Sequence, residues 1–243
     1  MIKRLALSAL TLMTLQWAPA MLMAQVQAQA TGAIAKPATP APLTYLVTAA
    51  DMRKCAFPFC GGYFVKAVNQ VLTRCTDGSY AKACHAVTLD TAKLGWTDEQ
   101  RAKFSESFGA GQALVQGVLA KGTLQGVSAD VLTVTDAWQG QVLKKPAGAF
   151  YVVRDTGIRC ITTPCPSLSA QLLNSAAPAT TPDLDLTASG ATDEQIAATG
   201  PALSTSGVFV AGSIVSTRST DLTGKVRTNK KLVASEFYVP AKP

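Results

Sequence analysis

The stretch Cys55-Ala-Phe-Pro-Phe-Cys60 recurs in diverged form as Cys160-Ile-Thr-Thr-Pro-Cys165, with a proline between the two cysteines each time. Each motif follows a short apolar run that starts with a tyrosine, Tyr45 in the first case and Tyr151 in the second. The chain therefore repeats one local arrangement, and the sequence beyond the motifs shows how far the repetition extends.

Five further matches follow the two motifs in the same order and at nearly constant spacing. They are Asn69 with Asn174, Leu89-Asp90 with Leu184-Asp185, Thr97-Asp-Glu-Gln100 with Thr192-Asp-Glu-Gln195, Gly111-Gln-Ala-Leu-Val with Gly207-Val-Phe-Val-Ala, and Leu132-Thr-Val-Thr-Asp-Ala-Trp138 with Leu232-Val-Ala-Ser-Glu-Phe-Tyr238. This pattern predicts two tandem repeat units, residues 44–140 and 150–240, joined by a linker over 141–149. Each unit has a length usual for a domain.

The first thirty residues have the pattern of a secretory signal peptide. Lys3 and Arg4 precede a short apolar run, and small residues offer cleavage sites after Ala24 or Ala30. The apolar run is shorter than the roughly 20 residues that a membrane-spanning helix needs. Residues 31–43, rich in Ala, Pro and Thr, then predict a flexible linker. We expect an exported protein with no membrane span after removal of the signal.

Six cysteines in an exported chain predict disulfide bonds, because such compartments are oxidising. The duplication selects the pairing Cys55–Cys60 and Cys160–Cys165, since these are the cysteines that the two units share. The first unit has ten more residues than the second between its matched Asn and Asp, and they carry Cys75 and Cys84. We therefore predict Cys75–Cys84 as a bond within an insertion.

Short β-rich runs alternate with one helix signal in each unit. The strands predicted for the first unit are 43–48, 63–68, 112–120 and 131–138, and those for the second include 167–173, 208–215 and 231–238. Thr97 and Gln100 form a capping box, with acidic residues in the first turn, so a helix is predicted over 98–108. Its counterpart is expected to end early at Gly200-Pro201. The predicted fold class is α+β: two mainly antiparallel β units, each with one helix.

Charge gives little support to nucleic-acid binding. The formal net charge is +7, or +5 without Lys3 and Arg4, and the units are nearly neutral, with nine basic against eight acidic residues in the first and seven against seven in the second. A nucleic-acid groove needs clustered basic residues on one face. The densest cluster is Lys225, Arg227, Lys230 and Lys231, which we interpret as the solvated end of a hairpin; a patch for a polyanion or a membrane surface is the alternative.

The sequence offers few groups for catalysis, metal binding or cofactor binding. His85 is the only histidine, and it adjoins Cys84 in the insertion, so we interpret it as a surface residue. Zinc at Cys75, Cys84 and His85 would need reduced thiols and a fourth ligand. Asp90 and Asp185 could form carboxylate pairs for glycan hydrolysis, but they are more simply residues that end a strand and begin a turn. We predict no catalytic residue, metal or cofactor.

The two disulfide-closed loops are the remaining candidates for a site. The first contains Phe57 and Phe59, and the second contains Ile161, Thr162 and Thr163. A closed loop loses little conformational entropy on binding, so these five residues are the candidate binding residues. The alternative is that Phe57 and Phe59 pack inward, as phenylalanines in small domains usually do.

The run Arg53-Lys-Cys-Ala-Phe-Pro-Phe-Cys-Gly-Gly-Tyr-Phe-Val65, together with Cys160–Ser167, resembles an uncharacterised domain family of secreted bacterial proteins. The resemblance covers roughly residues 44–240. It implies a periplasmic or secreted bacterial protein with one or two units that begin with Cys-x4-Cys-Gly-Gly. The second unit departs from this motif, since Pro166-Ser167 replaces Gly-Gly. No catalytic residues follow from the resemblance.

Three functional hypotheses remain. The first is a non-enzymatic binding or structural module whose partner is an unidentified protein or a cell-envelope ligand. The second is a protease inhibitor that presents an extended segment from one of its disulfide-closed loops. The third is a hydrolase that acts on glycan or cell-wall material through Asp90 or Asp185.

Overall fold

Strands make up most of the described structure, a computed structural model that describes residues 40–108, 111–161, 165–220 and 224–241. The first half contains β1 Leu43–Ala50, β2 Tyr63–Ala67, β3 Thr73–Arg74, β4 Tyr80–Ala81, β5 Cys84–Ala86, β6 Thr88–Asp90, β7 Ala113–Leu124 and β8 Val127–Gly140. The second half contains β9 Ala149–Asp155, β10 Leu168–Leu172, β11 Asp183–Asp185, β12 Val208–Thr220 and β13 Val226–Pro240. The predicted signal peptide and most of the predicted linker 31–43 lie outside the described residues.

Eleven of these strands form one sheet, in which β10-β9-β12-β13-β8-β7-β1-β2-β5 is the order of neighbours. Two short strands join it by parallel pairing, β6 beside β8 and β11 beside β13. The order β10-β9-β12-β13 in the second half has the same pairings as β2-β1-β7-β8 in the first. The halves meet where β13 pairs with β8 in antiparallel fashion, with Tyr238 opposite Gly140. The described residues between 40 and 241 thus belong to one compact unit.

The prediction of an α+β fold with a helix in each unit is wrong. The protein is mostly antiparallel β, with 48% strand and 12% helical residues. Only α1, Asp98–Ser105, reaches eight residues; α2, Asp193–Ala197, and α3, Gly200–Leu203, have five and four. Both predicted capping boxes are present, so the start signals were read correctly. They mark where a helix begins and not how far it extends.

The strands are longer than predicted because each half ends in a long hairpin. β7 and β8 pair without interruption from Gly117 to the turn at Gln125-Gly126, where both residues have positive φ. Such a two-residue turn matches the twist of the strands that it joins. The first predicted strand ended at residue 120 and the second began at residue 131, so the outer part of this hairpin was not predicted.

A bulge in β8 corrects the predicted face of Trp138. Strict alternation along the predicted strand 131–138 places Leu132, Val134 and Trp138 on one face, but the register shifts by one residue between Gln116 and Gly117. One extra residue in a strand reverses the alternation beyond it. Ala137 therefore packs with Leu132 and Val134, whereas Trp138 joins a different cluster. The second half has an equivalent shift at Ala211/Gly212.

The buried residues form three clusters, one within each half and one between them. The central cluster comprises Val68, Leu114, Trp138, Phe150, Val152, Leu173, Phe209, Ala211 and Tyr238. Its residues come from both halves, and the ring of Trp138 stacks on that of Phe209 with centroids 4.0 Å apart. The hydroxyl of Tyr238 donates to the carbonyl of Gly111 at 2.7 Å. The two halves are therefore joined by packing as well as by the β8–β13 pairing.

Candidate functional site

The first disulfide-closed loop is a tight turn that exposes an apolar side chain. Cys55 and Cys60 are bonded, with their Cα atoms 5.4 Å apart. The amide of Phe59 donates to the carbonyl of Ala56 at 3.0 Å, which folds the loop back on itself. Phe59 is 72% exposed and Phe57 is 40% exposed. The alternative in which both rings pack inward is not what the structure has, and the loop presents a phenylalanine to solvent.

An ion pair holds the base of this loop. The guanidinium of Arg53 donates to both carboxylate oxygens of Asp51, at 2.8 and 2.7 Å, and also to the carbonyl of Phe59 at 3.1 Å. The side chain of Asp51 is only 1% exposed. Two-pronged arginine–carboxylate contacts fix orientation as well as distance. Asp51 and Arg53 therefore position the carbonyl at the exposed end of the loop relative to the end of β1.

His85 completes the surroundings of Asp51. Its Nε2 atom lies 2.6 Å from the carbonyl oxygen of Gly61 and 3.3 Å from a carboxylate oxygen of Asp51. Its ring also packs at a tilt against that of Phe64. These contacts tie the strand that follows Cys84 to the end of the loop, so His85 is a half-buried structural residue in the described structure and not the free surface histidine that we predicted.

The hydrogen bonds from Arg53 lower the pKa of Asp51 to about 2. A carboxylate whose folded-state pKa is depressed adds stability above its unfolded pKa of about 4, and this stability is lost as pH falls towards 2. We therefore expect the unfolding midpoint of the wild-type protein in urea to fall steeply between pH 4 and pH 2. Asp51→Asn should flatten that slope, whereas Asp136→Asn, at an exposed position, should not. Equal slopes in the wild type and Asp51→Asn would contradict the assignment.

The second disulfide-closed loop has the same components at a different spacing. Cys160 and Cys165 are bonded with Cα atoms 5.6 Å apart, and Ile161 is fully exposed. Arg159 makes a two-pronged contact with Asp155 at 2.9 and 2.6 Å, which lowers the pKa of that carboxyl to about 2. The candidate residues Thr162 and Thr163 lie outside the described residues. Each loop thus follows an aspartate–arginine pair and carries an exposed apolar residue.

These pairs were missed in the sequence, although a signal was present. Asp51-x-Arg53-x-Cys55 and Asp155-x3-Arg159-Cys160 both place an aspartate and an arginine before the first cysteine. The differing spacing hides the correspondence in a position-by-position comparison.

The two loops do not lie together. Along the sheet, β1 and β9 are connected through five successive antiparallel strand pairings. Because this number is odd, the two strands run in opposite directions. The loops follow the carboxyl ends of these strands and leave the sheet at opposite ends. They therefore cannot form a single composite site.

The remaining predicted groups have structural roles. Cys75 and Cys84 are bonded across the insertion, so all three cysteine pairs lie at disulfide distance in the predicted pairing. The carboxylates of Asp90 and Asp185 accept from the amides of Ala92 and Ala188, which begin the following turns. A hydroxyl donor, Thr187, also lowers the pKa of Asp185, whereas a general acid needs a raised one. The part of the chain that the structure describes contains no cluster suited to a metal ion.

The fold and the two loops define a class of protein: an antiparallel β protein, cross-linked by three disulfides, that presents two disulfide-closed loops. Bonds of this kind are expected in an oxidising compartment. The chain belongs to the family described as domain of unknown function DUF6748, whose model matches residues 44–243. This match confirms the expectation of an uncharacterised domain family. No curated protein and no solved structure matches the chain. Within the described residues, none of the helices has the length and apolar character needed to cross a bilayer.

Proposed function

We propose that this chain is a non-enzymatic binding module, located in the bacterial periplasm or outside the cell, that contacts protein partners through its two disulfide-closed loops. The observation that supports it is the exposed Phe59 on a loop held by a disulfide and by the Asp51–Arg53 pair. Exposing a phenylalanine in water forgoes about 1.5–3 kcal/mol of burial free energy. Aromatic residues, phenylalanine among them, are enriched at protein interfaces, and a loop closed by a disulfide loses little conformational entropy on binding.

The tandem origin of the two halves belongs to the same proposal. Equivalent strands pair in the same order, both halves have a bulge in the last hairpin, and both have the aspartate–arginine pair before the loop. Duplication of a loop-presenting unit produces two contact points at opposite ends of one body. Such a protein can bridge two partner molecules, or bind one elongated partner with the gain in affinity that two linked contacts give.

The two enzyme-related hypotheses have less support. An inhibitor that enters a protease active site must present an extended segment, but residues 56–59 form a hydrogen-bonded turn. A glycan hydrolase needs a carboxyl group that is free to donate a proton, and Asp90 and Asp185 both accept hydrogen bonds from the backbone.

Site-directed photocrosslinking tests the binding proposal. A benzoylphenylalanine at position 59 or 161 of the exported protein should produce defined cross-linked species in irradiated cells. The same probe at Val71, which is also highly exposed but lies outside both loops, should produce none. Adding an excess of purified wild-type protein to cell-envelope extracts should suppress the products, and an excess of Phe59→Ser should suppress the position-59 product far less. Equal cross-linking at 59, 161 and 71 would overturn the proposal.

A further inference from the structure

A cavity of about 810 Å³ lies between β1–β2 and the segment that joins the two halves of the chain. We call it the linker cavity. Among the residues that line it are Leu46, Lys66, Val68, Leu143, Lys145 and Phe150. The volume falls within the range of natural small-molecule sites, about 300–1,000 Å³.

The floor of the linker cavity is apolar. Leu46 lies directly across from Lys66 in the β1–β2 pairing, and alternate residues of a strand share a face. Val68 therefore lies on the same side as Lys66. Val68 and Phe150 belong to the central cluster, against which Leu46 also packs. Val68 and Phe150 are buried in that cluster. A ligand with an apolar body would therefore lie chiefly against Leu46 and against Leu143 and Pro146, which also line the cavity.

The mouth of the cavity is positively charged. Lys66 and Lys145 line it and are exposed, and none of the lining residues that the structure describes is acidic. The amide of Asn69 is already occupied by contacts with Phe150 and Leu173. The hydroxyl of Thr48 and the side-chain amide of Gln70, which also line the cavity, donate to the carbonyls of Phe64 and Asn174. The lysines are thus the groups that can give a ligand its orientation, and their charge favours an anion at the mouth.

The backbone conformation of Leu143 is a second observation in favour of a ligand site, and it does not depend on the charge of the lysines. It has a φ of 61° and is 66% exposed at the cavity. A left-handed backbone is unfavourable for a residue with a branched side chain, and an exposed leucine does not offset this by packing. The carboxylate of Glu236 accepts from the amides of Val142 and Lys144 on either side, which holds Leu143 in this conformation. Strain of this kind is typical of sites that bind ligands.

The linker cavity occurs once in the chain, although the strand pairings around it recur in the second half. Gln171 is the counterpart of Lys66, because it lies across from Val152 as Lys66 lies across from Leu46. The side chain of Gln171 donates instead to the carbonyl of Ala177. The segment with Leu143 and Lys145 also has no second copy. One ligand for each chain is therefore expected.

We propose that the linker cavity binds one amphipathic carboxylate of the single-chain fatty-acid type. Its alkyl chain lies between Leu46 and Leu143, at the part of the cavity that Val68 and Phe150 also line, and its carboxylate lies between the ammonium groups of Lys66 and Lys145. This inference does not depend on the loops or on the proposed function.

Isothermal titration calorimetry with decanoate tests the inference on the disulfide-bonded protein. Decanoate should bind with a stoichiometry of one and a negative heat-capacity change, which indicates burial of apolar surface. Decanol, which has the same chain and no charge, should bind at least about threefold more weakly, because it lacks the charge that the two exposed lysines attract. Lys66→Met and Lys145→Met should each weaken decanoate binding by a similar factor.

Lys82→Met is the matched control, since Lys82 is exposed and lies outside the cavity; its affinity for decanoate should equal that of the wild type. Methyl resonances of Leu46, Val68 and Leu143 should shift on titration with decanoate, which locates binding without any substitution. No binding of decanoate, affinity unchanged by both lysine variants, or methyl shifts confined to other residues would each overturn the inference.

Discussion

Replacing Glu236 with alanine is expected to lower the free energy of unfolding by about 3–5 kcal/mol. Its side chain is completely buried, and its carboxylate accepts hydrogen bonds from four backbone amides. These are the amides of Gln141, Val142, Lys144 and Phe237, at 3.2, 3.0, 3.1 and 2.8 Å. Removing the acceptor leaves the amides of Val142, Lys144 and Phe237 without this partner in a buried site, whereas the amide of Gln141 keeps its hydrogen bond to the carbonyl of Phe237 at 3.0 Å. Chemical denaturation with urea measures the loss.

The first half of the chain supplies a matched control for this prediction. Asp136 occupies the equivalent position in the first half but is exposed, so Asp136→Ala should change the unfolding free energy by no more than about 0.5 kcal/mol. Glu236→Gln should lie between the two, because an amide oxygen can accept some of the hydrogen bonds while its NH2 group faces other donors. A loss for Glu236→Ala as small as that for Asp136→Ala would contradict the role of the carboxylate.

The same substitution links stability to the linker cavity. Glu236 fixes the backbone on both sides of Leu143, so its loss should release residues 141–144 and weaken decanoate binding. The side chain of Lys144, which donates to the carbonyl of Ser189 at 2.6 Å, provides a second attachment for this segment. We therefore expect weakened binding rather than its complete loss.

Local features were predictable from the sequence because neighbouring residues determine them. The disulfide rings close over few residues, the capping boxes at Thr97 and Thr192 involve atoms three residues apart, and Asp90 and Asp185 bond to the amides that follow them. In each case the chemistry of the residue types and their spacing is sufficient.

Features that depend on distant partners were not predictable in this way. The bulge that turns Trp138 towards Phe209 exists because β7 and β8 pair in a particular register, and no local pattern reports it. The burial of Glu236 depends on where the joining segment lies, whereas its counterpart Asp136 is exposed. The matched asparagines were visible as a pattern, but the partners of each lie in the other half of the chain.

Asn69→Ala and Asn174→Ala should each lower the free energy of unfolding by about 2–4 kcal/mol. The side chain of Asn69 donates to the carbonyls of Phe150 and Leu173 and accepts from the amide of Phe150, at 2.7, 2.9 and 2.8 Å. Asn174 makes the reciprocal set with Thr44 and Val68, at distances between 2.8 and 3.0 Å. The side chain of each asparagine thus makes, across the junction of the two halves, hydrogen bonds of the kind that a neighbouring strand would make with its backbone.

Backbone conformation contributes to the same effect and can be separated from it. Asn69 and Asn174 have φ values of 59° and 53°, a region that asparagine tolerates better than alanine does. Asn69→Gly keeps the backbone unstrained and removes only the side-chain contacts, so it should be less destabilising than Asn69→Ala by about 1 kcal/mol. Gln125→Ala is the control, since Gln125 has a φ of 50° at an exposed hairpin turn; a change within about 0.5 kcal/mol is expected there.

The double variant Asn69→Ala/Asn174→Ala tests whether the two asparagines act together at one junction. Once the hydrogen bonds of one asparagine are lost, the junction between the halves loosens and the hydrogen bonds of the other asparagine stabilise it less. The loss in unfolding free energy of the double variant should therefore be smaller than the sum of the two single losses. A coupling of at least about 0.5 kcal/mol in a double-mutant cycle is expected. Strict additivity would mean that each asparagine stabilises only its own turn, and the halves would then be held together by the central cluster and the β8–β13 pairing alone.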